Sequence, residues 1–410
     1  MVNTIDLFAG CGGLTEGFKQ SGHYNTVACV EWDKAPCDNL RHHLESKWHY
    51  KDVNQRVLRF DIQRVNELLN GWNDTEYGQS KGLDSLVSEY GGVVDLIIGG
   101  PPCQAYSVAG RIRDQNAMKD DYRNYLFESY LTIVEHYKPK AFVFENVPGM
   151  LSARPGDGSE KIVDVIHRQF SEAGYVLLDD LSNAIIDFTE YGIPQNRKRL
   201  IILGVSRETY GESAKTLLRE FYNSVLPSKR VAKKRTVRDA IGDLPKMYPL
   251  NAPIRVNGKQ FSHSFAGTDK YANHFTRYNS AREIEIFKLL TNDIQNGSHK
   301  YTSTESLKEL YTQTTGKESN IHKYHVLRWD EQSNTIPAHL YKDGLRHIHP
   351  DPEQARSISV REAARLQAFP DNYEFITGTA LEFKMIGNAV PPLFAKILGD
   401  SVFELLFAEK

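Results

Sequence analysis

Val2-Asn-Thr-Ile-Asp6-Leu-Phe8-Ala9-Gly10-Cys11-Gly12-Gly13-Leu14-Thr-Glu-Gly17-Phe18 opens the chain. Val2 to Phe8 reads as a strand, Ala9–Gly13 as a glycine-rich turn, and Leu14 to about Gln20 as a helix. Glycines between a strand and a helix let the backbone approach a ligand closely and aim amides at it. Such a turn suits NAD, FAD, S-adenosylmethionine or plain tight packing, and by itself does not choose among them.

The same alternation continues down the chain. Thr26 to Val30 reads as a second strand ending at Glu31, where a carboxylate can accept hydrogen bonds from ribose hydroxyls. Val93 to Ile98 is rich in β-branched residues, Tyr125 to His136 looks helical, and Ala141 to Glu145 and Leu200 to Val205 are further apolar strands. A parallel sheet covered by helices on both faces satisfies this pattern, with ligands at the carboxyl ends of the strands.

Composition narrows the class. The chain has 410 residues, 40% hydrophobic and 25% charged, which suits one large domain plus a smaller one and argues against a disordered chain. No apolar run reaches the roughly 18–20 residues of a membrane helix, and no signal-peptide pattern is present. The 50 basic and 52 acidic residues leave a formal charge of -2, so any polyanion binding must come from local basic surface. Cys11, Cys29, Cys37 and Cys103 form no CxxC pair and no zinc spacing, and no metal is implied. Free thiols suit a reducing cytosol.

Three internal motifs carry chemistry. Gly99-Gly100-Pro101-Pro102-Cys103-Gln104-Ala-Tyr-Ser107 makes a rigid turn after a buried-type strand and sets a cysteine on the ligand side of the sheet. A free cysteine is commonly a small core residue, but such a turn is a poor place to bury one. Phe142-Val-Phe-Glu145-Asn146-Val147-Pro148 puts a carboxylate at the end of an apolar strand, either desolvated and usable as an acid or simply facing water. Tyr191-Gly-Ile-Pro194-Gln195-Asn196-Arg197-Lys198-Arg199 brings arginines into a strand, where they can point donors at a base or phosphate or decorate a solvent edge.

From about Arg207 to Pro352 the chain turns polar and loses regular apolar patterns. Lys229, Arg230, Lys233, Lys234, Arg235 and Arg238 cluster near its start, as a solvated surface or a phosphate contact. Ser359–Ala368 reads as a helix, and Leu393–Leu406 as an apolar closing helix with Pro391 and Pro392 at or just before its start.

Taken in order, these motifs, with Ser359-Val-Arg361-Glu362-Ala-Ala-Arg365-Leu-Gln-Ala-Phe-Pro370 and Ile386-Gly387-Asn388-Ala389-Val-Pro391-Pro392, resemble the cytosine-5 DNA methyltransferase family. The resemblance covers about residues 3–205 and 328–405. It implies a Rossmann-like α/β methyltransferase domain with a mixed, mostly parallel sheet (1–207 and 378–410), a smaller irregular target-recognition domain (208–350) and a hinge segment (351–377). S-adenosylmethionine is the implied methyl donor. Asp6, Phe8, Ala9, Gly10, Gly12, Gly13 and Leu14 resemble the turn of its pocket, Glu31 and Trp32 the ribose and adenine contacts, and Asp61 with Ile62 the group that reads the adenine amine. Gly100, Pro102, Asn388 and Ala389 resemble the remainder of that pocket.

Cys103 resembles the family's nucleophile, Glu145 the acid beside the target base, and Arg199 the arginine that steadies the ring, with Arg197 the second arginine of that loop. Gln104, Ser107, Arg111, Lys233, Lys234 and Arg235 are the expected DNA contacts, and Asp121, Arg123, Leu126 and Phe127 resemble the segment after the mobile catalytic loop. The implied partner is double-stranded DNA, bound by a monomer in a bacterial cytoplasm with no membrane attachment. A cognate restriction endonuclease or another defence component is a further implied partner. The tRNA-methylating branch shares Pro-Pro-Cys-Gln but carries a later Cys-Phe-Thr, and this chain has no cysteine after Cys103.

Overall fold

A computed structural model describes residues 1–102, 126–154, 160–264, 271–342 and 344–408. Within them the chain forms two compact units. The first comprises Met1–Gly192, Arg197–Ala232 and Ala389–Lys410, and the second Ile193–Asn196 and Lys233–Asn388.

The first unit is built on one sheet. Its strands are β1 (Val2–Leu7), β2 (Tyr24–Glu31), β3 (Val57–Arg59), β4 (Leu96–Gly99), β5 (Ala141–Asn146), β6 (Tyr175–Val176), β7 (Ile185–Asp187) and β8 (Lys198–Ser206). Spatial order is β3-β2-β1-β4-β5-β8-β6, with β7 also paired to β8. Strands β3 through β5 along this order run parallel, whereas β8 runs antiparallel to β5, β6 and β7. The sheet is therefore mixed and mostly parallel, as the family resemblance implies, where the βα alternation alone suggests an all-parallel one. Ile5, Leu7, Ile97, Phe142, Phe144, Leu200 and Ile202 are fully buried, because helices cover both faces and leave the central strands no polar side.

Helix α1 (Gly13–Gln20) follows β1, and α2 (Lys34–Ser46) follows β2. The closing helix Pro392–Leu406 packs on α1, with Pro391 as N-cap and Pro392 in its first turn. A side chain at Gly17 would put its Cβ 2.3 Å from Ala395 Cβ and 2.5 Å from Pro392 O. Glycine is what lets the two helices touch.

The unit boundaries differ from the sequence expectation of 207, 350 and 378. Residues 208–232 stay with the first unit, because helix Ser213–Glu220 and the turn after it bury Ala214, Leu217, Leu218 and Phe221. Tyr222 Oη also joins β8, donating to Ile201 O at 2.7 Å and accepting from Leu203 N at 2.9 Å. The return to the first unit comes at Ala389.

The second unit is more regular than its polar sequence suggests. Ser280 and Glu283 form a reciprocal capping box at the start of helix Ala281–Gln295, and helix Thr304–Thr315 ends on a left-handed Gly316. Ile286, Phe287, Leu290, Leu310, Tyr324, Val326 and Ile348 form its apolar core. A hairpin of Pro249–Val256 and Lys259–His263 turns at Asn257 and Gly258, both at positive φ.

Segment 351–377 is the polar centre of this unit. Ser359 and Glu362 cap helix Val360–Leu366. Arg356 grips Glu362 in a two-pronged pair of 2.7 and 2.6 Å, and Arg361 donates to the carbonyls of Ala272, Pro370 and Tyr373. Burial opposes ionisation of Glu362, but Arg356 outweighs it and holds the carboxyl far below the usual range. Burial pushes His263 down to about 4 and His347 and His349 to about 3. No helix among the described residues is long and apolar enough to cross a membrane.

These imidazoles stay neutral when folded and titrate near about 6.5 when exposed. Their contribution is complete above that pH and is lost as pH falls toward their folded values. The second unit is therefore expected to lose roughly 1–2 kcal/mol per buried imidazole by pH 5. Denaturant titration at pH 7.5 and 5.0, followed through Trp329, the one tryptophan in that unit, measures this. An unchanged midpoint would contradict it.

Candidate active site

The site residues of the first unit lie at the carboxyl ends of β1, β2, β3, β4 and β5. Beyond β1 the chain leaves the sheet at Phe8, which adopts φ 61°. Ala9 N donates to Val30 O at 3.0 Å, Gly12 N to Ala9 O at 2.8 Å, and Gly10 N to Glu31 Oε2 at 2.9 Å. Gly12 is left-handed, and a side chain there would strike Leu40; one at Gly13 would strike Val390 O. Space beside Gly10 is open, with nothing within 4 Å of where its Cβ would be.

Glu31 holds the end of β2. Its Oε1 accepts Asp33 N at 2.8 Å, and burial pushes its carboxyl above the ordinary value against the pull of these backbone donors. Trp32 follows it and is 45% exposed. Phe60 N donates to Glu31 O at 3.0 Å, which brings Asp61 and Ile62 alongside; Asp61 is half-buried and Ile62 buried. Asp6 and Leu14 lie underneath, both buried. Asp6 Oδ2 accepts Thr15 Oγ1 at 2.6 Å, while its Oδ1 meets no hydrogen-bond partner among the described residues. Burial, only partly offset by Thr15, pushes Asp6 up to about 7.

The second cluster joins β4, β5 and β8. Gly99 pairs with Phe144 across the parallel ladder, so Gly100 falls beside Glu145. A Cβ on Gly100 would sit 2.8 Å from Glu145 Oε2. On the other side Ile201 of β8 pairs with Glu145. Arg199, two residues earlier, shares its face, and Arg199 Nε reaches Glu145 Oε1 at 2.9 Å. Both side chains are largely buried, at 15% and 12% exposure. Asn146 Nδ2 donates to Pro101 O at 3.2 Å, tying the turn after β4 to the end of β5. The surroundings can hold a planar polar ring between a guanidinium, a carboxylate and a rigid proline turn.

A sequence model of C-5 cytosine-specific DNA methylase matches residues 2–404. The chain belongs to that family. The methylase is similar to the type II methyltransferase M.Bpa9945I of Bacillus paralicheniformis, with 34% identity over 98% of each chain. It is also similar to M.AgeI of Thalassovita gelatinovora, with 28% identity over 98% of this chain and 99% of the other. A crystal structure described as a DNA modification methyltransferase encoded within an E. coli prophage shares the fold, with TM-score 0.61 and 23% identity over the full length of both chains. The family uses S-adenosylmethionine as methyl donor.

The first cluster fits that donor: an open glycine turn, a strand-end carboxylate and an exposed indole can receive a polar nucleoside. Of the methylase's sequence-expected residues, Phe8, Ala9, Gly10, Gly12, Gly13, Glu31, Trp32, Asp61 and Ile62 come together around these strand ends. Gly100, Glu145 and Arg199 meet in the second cluster, with Pro102 exposed beside the turn. Arg197 is buried and donates to Ala389 O at 3.2 Å, so it secures the chain where the closing segment begins. Asn388 is exposed at the end of helix Thr379–Asn388, in the second unit.

Cys103, Gln104, Ser107, Arg111, Asp121 and Arg123 lie outside the described residues. Leu126 and Phe127 are buried at the start of helix Leu126–Tyr137. In the basic cluster Lys229 pairs with Glu404, Arg230 with Glu190 and Arg238 with Asp330, and Arg235 donates to Asp239 O. Lys233 and Lys234 are exposed.

Sequence reasoning left Thr15 and Asn146 without roles. Asn146 stood inside a motif already singled out, but its partner is a carbonyl 45 residues away, which no local pattern reveals. Gly100→Ala is expected to push the Glu145 carboxylate off Arg199 and reduce methyl transfer by about 100-fold with little change in melting temperature. Single-turnover kinetics and a thermal scan on the variant check this, and a normal rate would refute it.

Proposed function

We propose that the chain methylates carbon 5 of one cytosine within a specific duplex DNA sequence, through a transient bond from Cys103 to carbon 6 of a base flipped out of the helix. The observation that carries this reading is the Glu145–Arg199 pair at 2.9 Å, set against Gly100 just before Pro101 and Pro102, the residues that precede Cys103 in sequence. Carbon 5 of cytosine is too weak a nucleophile to be methylated directly. Attack of the Cys103 thiolate forms an Sγ–carbon 6 bond and moves the ring's π electrons toward carbon 5 and nitrogen 3. Glu145 would serve as the acid that passes a proton to nitrogen 3, and Arg199 would hold both the acid and the ring.

Bound S-adenosylmethionine supplies an electrophilic methyl group on sulfonium sulfur. Glu31 would hold its ribose hydroxyls, Trp32 would stack on its adenine, and Asp61 would accept from the adenine amine. Loss of the carbon 5 proton to a base, departure of the Cys103 sulfur as thiolate and return of the nitrogen 3 proton to Glu145 restore the ring. A stacked base keeps its carbon 6 out of reach, so extrusion precedes attack. The second unit would read the sequence from the major groove while phosphate contacts set the register. The type II names of the relatives favour a cognate restriction endonuclease as the functional partner.

Incubation with S-adenosylmethionine and mixed DNA, followed by base-resolution mapping, is expected to show methylcytosine at one recurring sequence. Its absence would sink the proposal. Cys103→Ser is expected to bind DNA and donor yet transfer almost no methyl; appreciable turnover would reject Cys103 as nucleophile. Because Lys229, Arg230 and Arg238 are already paired with carboxylates, neutralising Lys233 and Lys234 together is expected to lower the salt slope of DNA binding by about 2. Neutralising the other three should move it less.

A further inference from the structure

The hairpin of the second unit, Pro249–Val256 and Lys259–His263, is anchored at its root and bare toward its tip. At the root Ser262 and His263 are buried. His263 Nε2 meets Gln354 O at 2.8 Å, Asn279 N donates to Ser262 Oγ at 2.9 Å, and Ser264 N donates to Tyr248 O at 2.8 Å. Every residue from Asn251 to Gln260 is exposed. Asn257 and Gly258, at φ 48° and 77°, close the tip as a two-residue turn whose twist suits a paired ribbon.

Across the ladder Ile254 is opposite Phe261, Arg255 opposite Gln260, and Val256 opposite Lys259. Opposed residues share a face of an antiparallel pair, and neighbours along a strand take opposite faces. Phe261 meets the Phe275 ring at 6.2 Å, and Lys259 Nζ lies 5.9 Å from that ring. The face of Ile254, Val256, Lys259 and Phe261 is therefore the one turned toward the unit's own body. Arg255 and Gln260 stand side by side on the other face, and neither side chain has a hydrogen bond or ion pair among the described residues.

Charge and size select an occupant for that face. The chain carries 52 acidic residues, yet none lies between Asp243 and Asp269, so nothing along the ribbon itself repels a polyanion. From the Ile254–Phe261 pair to the tip the ribbon reaches about 10 Å, at roughly 3.4 Å per residue. The major groove is about 12 Å wide and about 8.5 Å deep, and it admits a two-stranded ribbon. An arginine fork fits the O6 and N7 edge of guanine, and a glutamine amide the N6 and N7 edge of adenine. Opposed Cβ atoms about 5 Å apart can serve adjacent base pairs, which stack about 3.4 Å apart.

We infer that this ribbon enters the major groove of the target duplex and that Arg255 and Gln260 are specificity-determining residues, Arg255 reading a guanine and Gln260 an adenine in the neighbouring pair. The inference rests on the reading of the second unit as the part of the methylase that meets the major groove.

The test is methyl transfer from S-adenosylmethionine to duplexes carrying each single base-pair change in the mapped recognition sequence, by the unaltered chain, Arg255→Ala and Gln260→Ala. Both positions are exposed, so the variants are expected to melt within about 2 °C of the unaltered chain. Arg255→Ala is expected to relax the choice at one G·C pair by about ten- to hundredfold, and Gln260→Ala to do so at the adjacent A·T pair. Undiminished discrimination by both variants would overturn the inference and leave the ribbon a structural or protein-facing surface. An equal loss at every sequence, with a salt slope of DNA binding lower by about 1 for Arg255→Ala, would also overturn it, because that is the signature of a phosphate contact. No methylcytosine from the unaltered chain would instead overturn the proposed function, and this inference with it.

Discussion

A guanidinium held against a carboxylate at the mouth of an apolar sheet is the constraint around which the first unit is arranged. Arg199 reaches Glu145 at 2.9 Å because β8 runs antiparallel to β5 with Ile201 opposite Glu145. Side chains two apart on a strand share a face, so Arg199 and Glu145 project to the same side. A slip of one residue would turn Arg199 to the opposite face and leave the carboxylate without its partner. Buried Leu200, Ile202 and Leu203 hold the register, since the same slip would exchange the two apolar faces of β8.

Close approach is the second requirement, and glycine meets it at sites remote from one another in sequence. Gly100 leaves room for the Glu145 carboxylate, and Gly17 lets the closing helix lie on α1. Gly13 does the same for the segment leading into that helix, whose Val390 O would lie 2.3 Å from an added Cβ. Residues 390–406 thus pack against the glycine turn and α1 near the start of the chain.

The second unit solves a different problem with a different chemistry. Beside its apolar residues it buries a polar network of Arg356, Glu362, Gln354, Ser359 and histidines. A buried ion pair adds little net stability over apolar packing, but losing one partner strands the other charge. Such a centre is demanding about geometry.

Much was legible in the sequence because it is local. Strand–glycine turn–helix at Val2–Gln20, the apolar strands that end at Glu31, Gly99 and Asn146, each within a residue of its sequence reading, and the helix after Ser359 follow from backbone sterics and hydrophobic period within a few residues. The order of the six motifs pointed to the methylase family. Tertiary structure decided the rest, because it depends on contacts between residues far apart in the chain. The particular partners of β8, the transfer of residues 208–232 to the first unit and the central place of 351–377 in the second arise from pairings between distant residues that local pattern does not encode. Composition and periodicity specify which segments must be buried; only packing specifies against what.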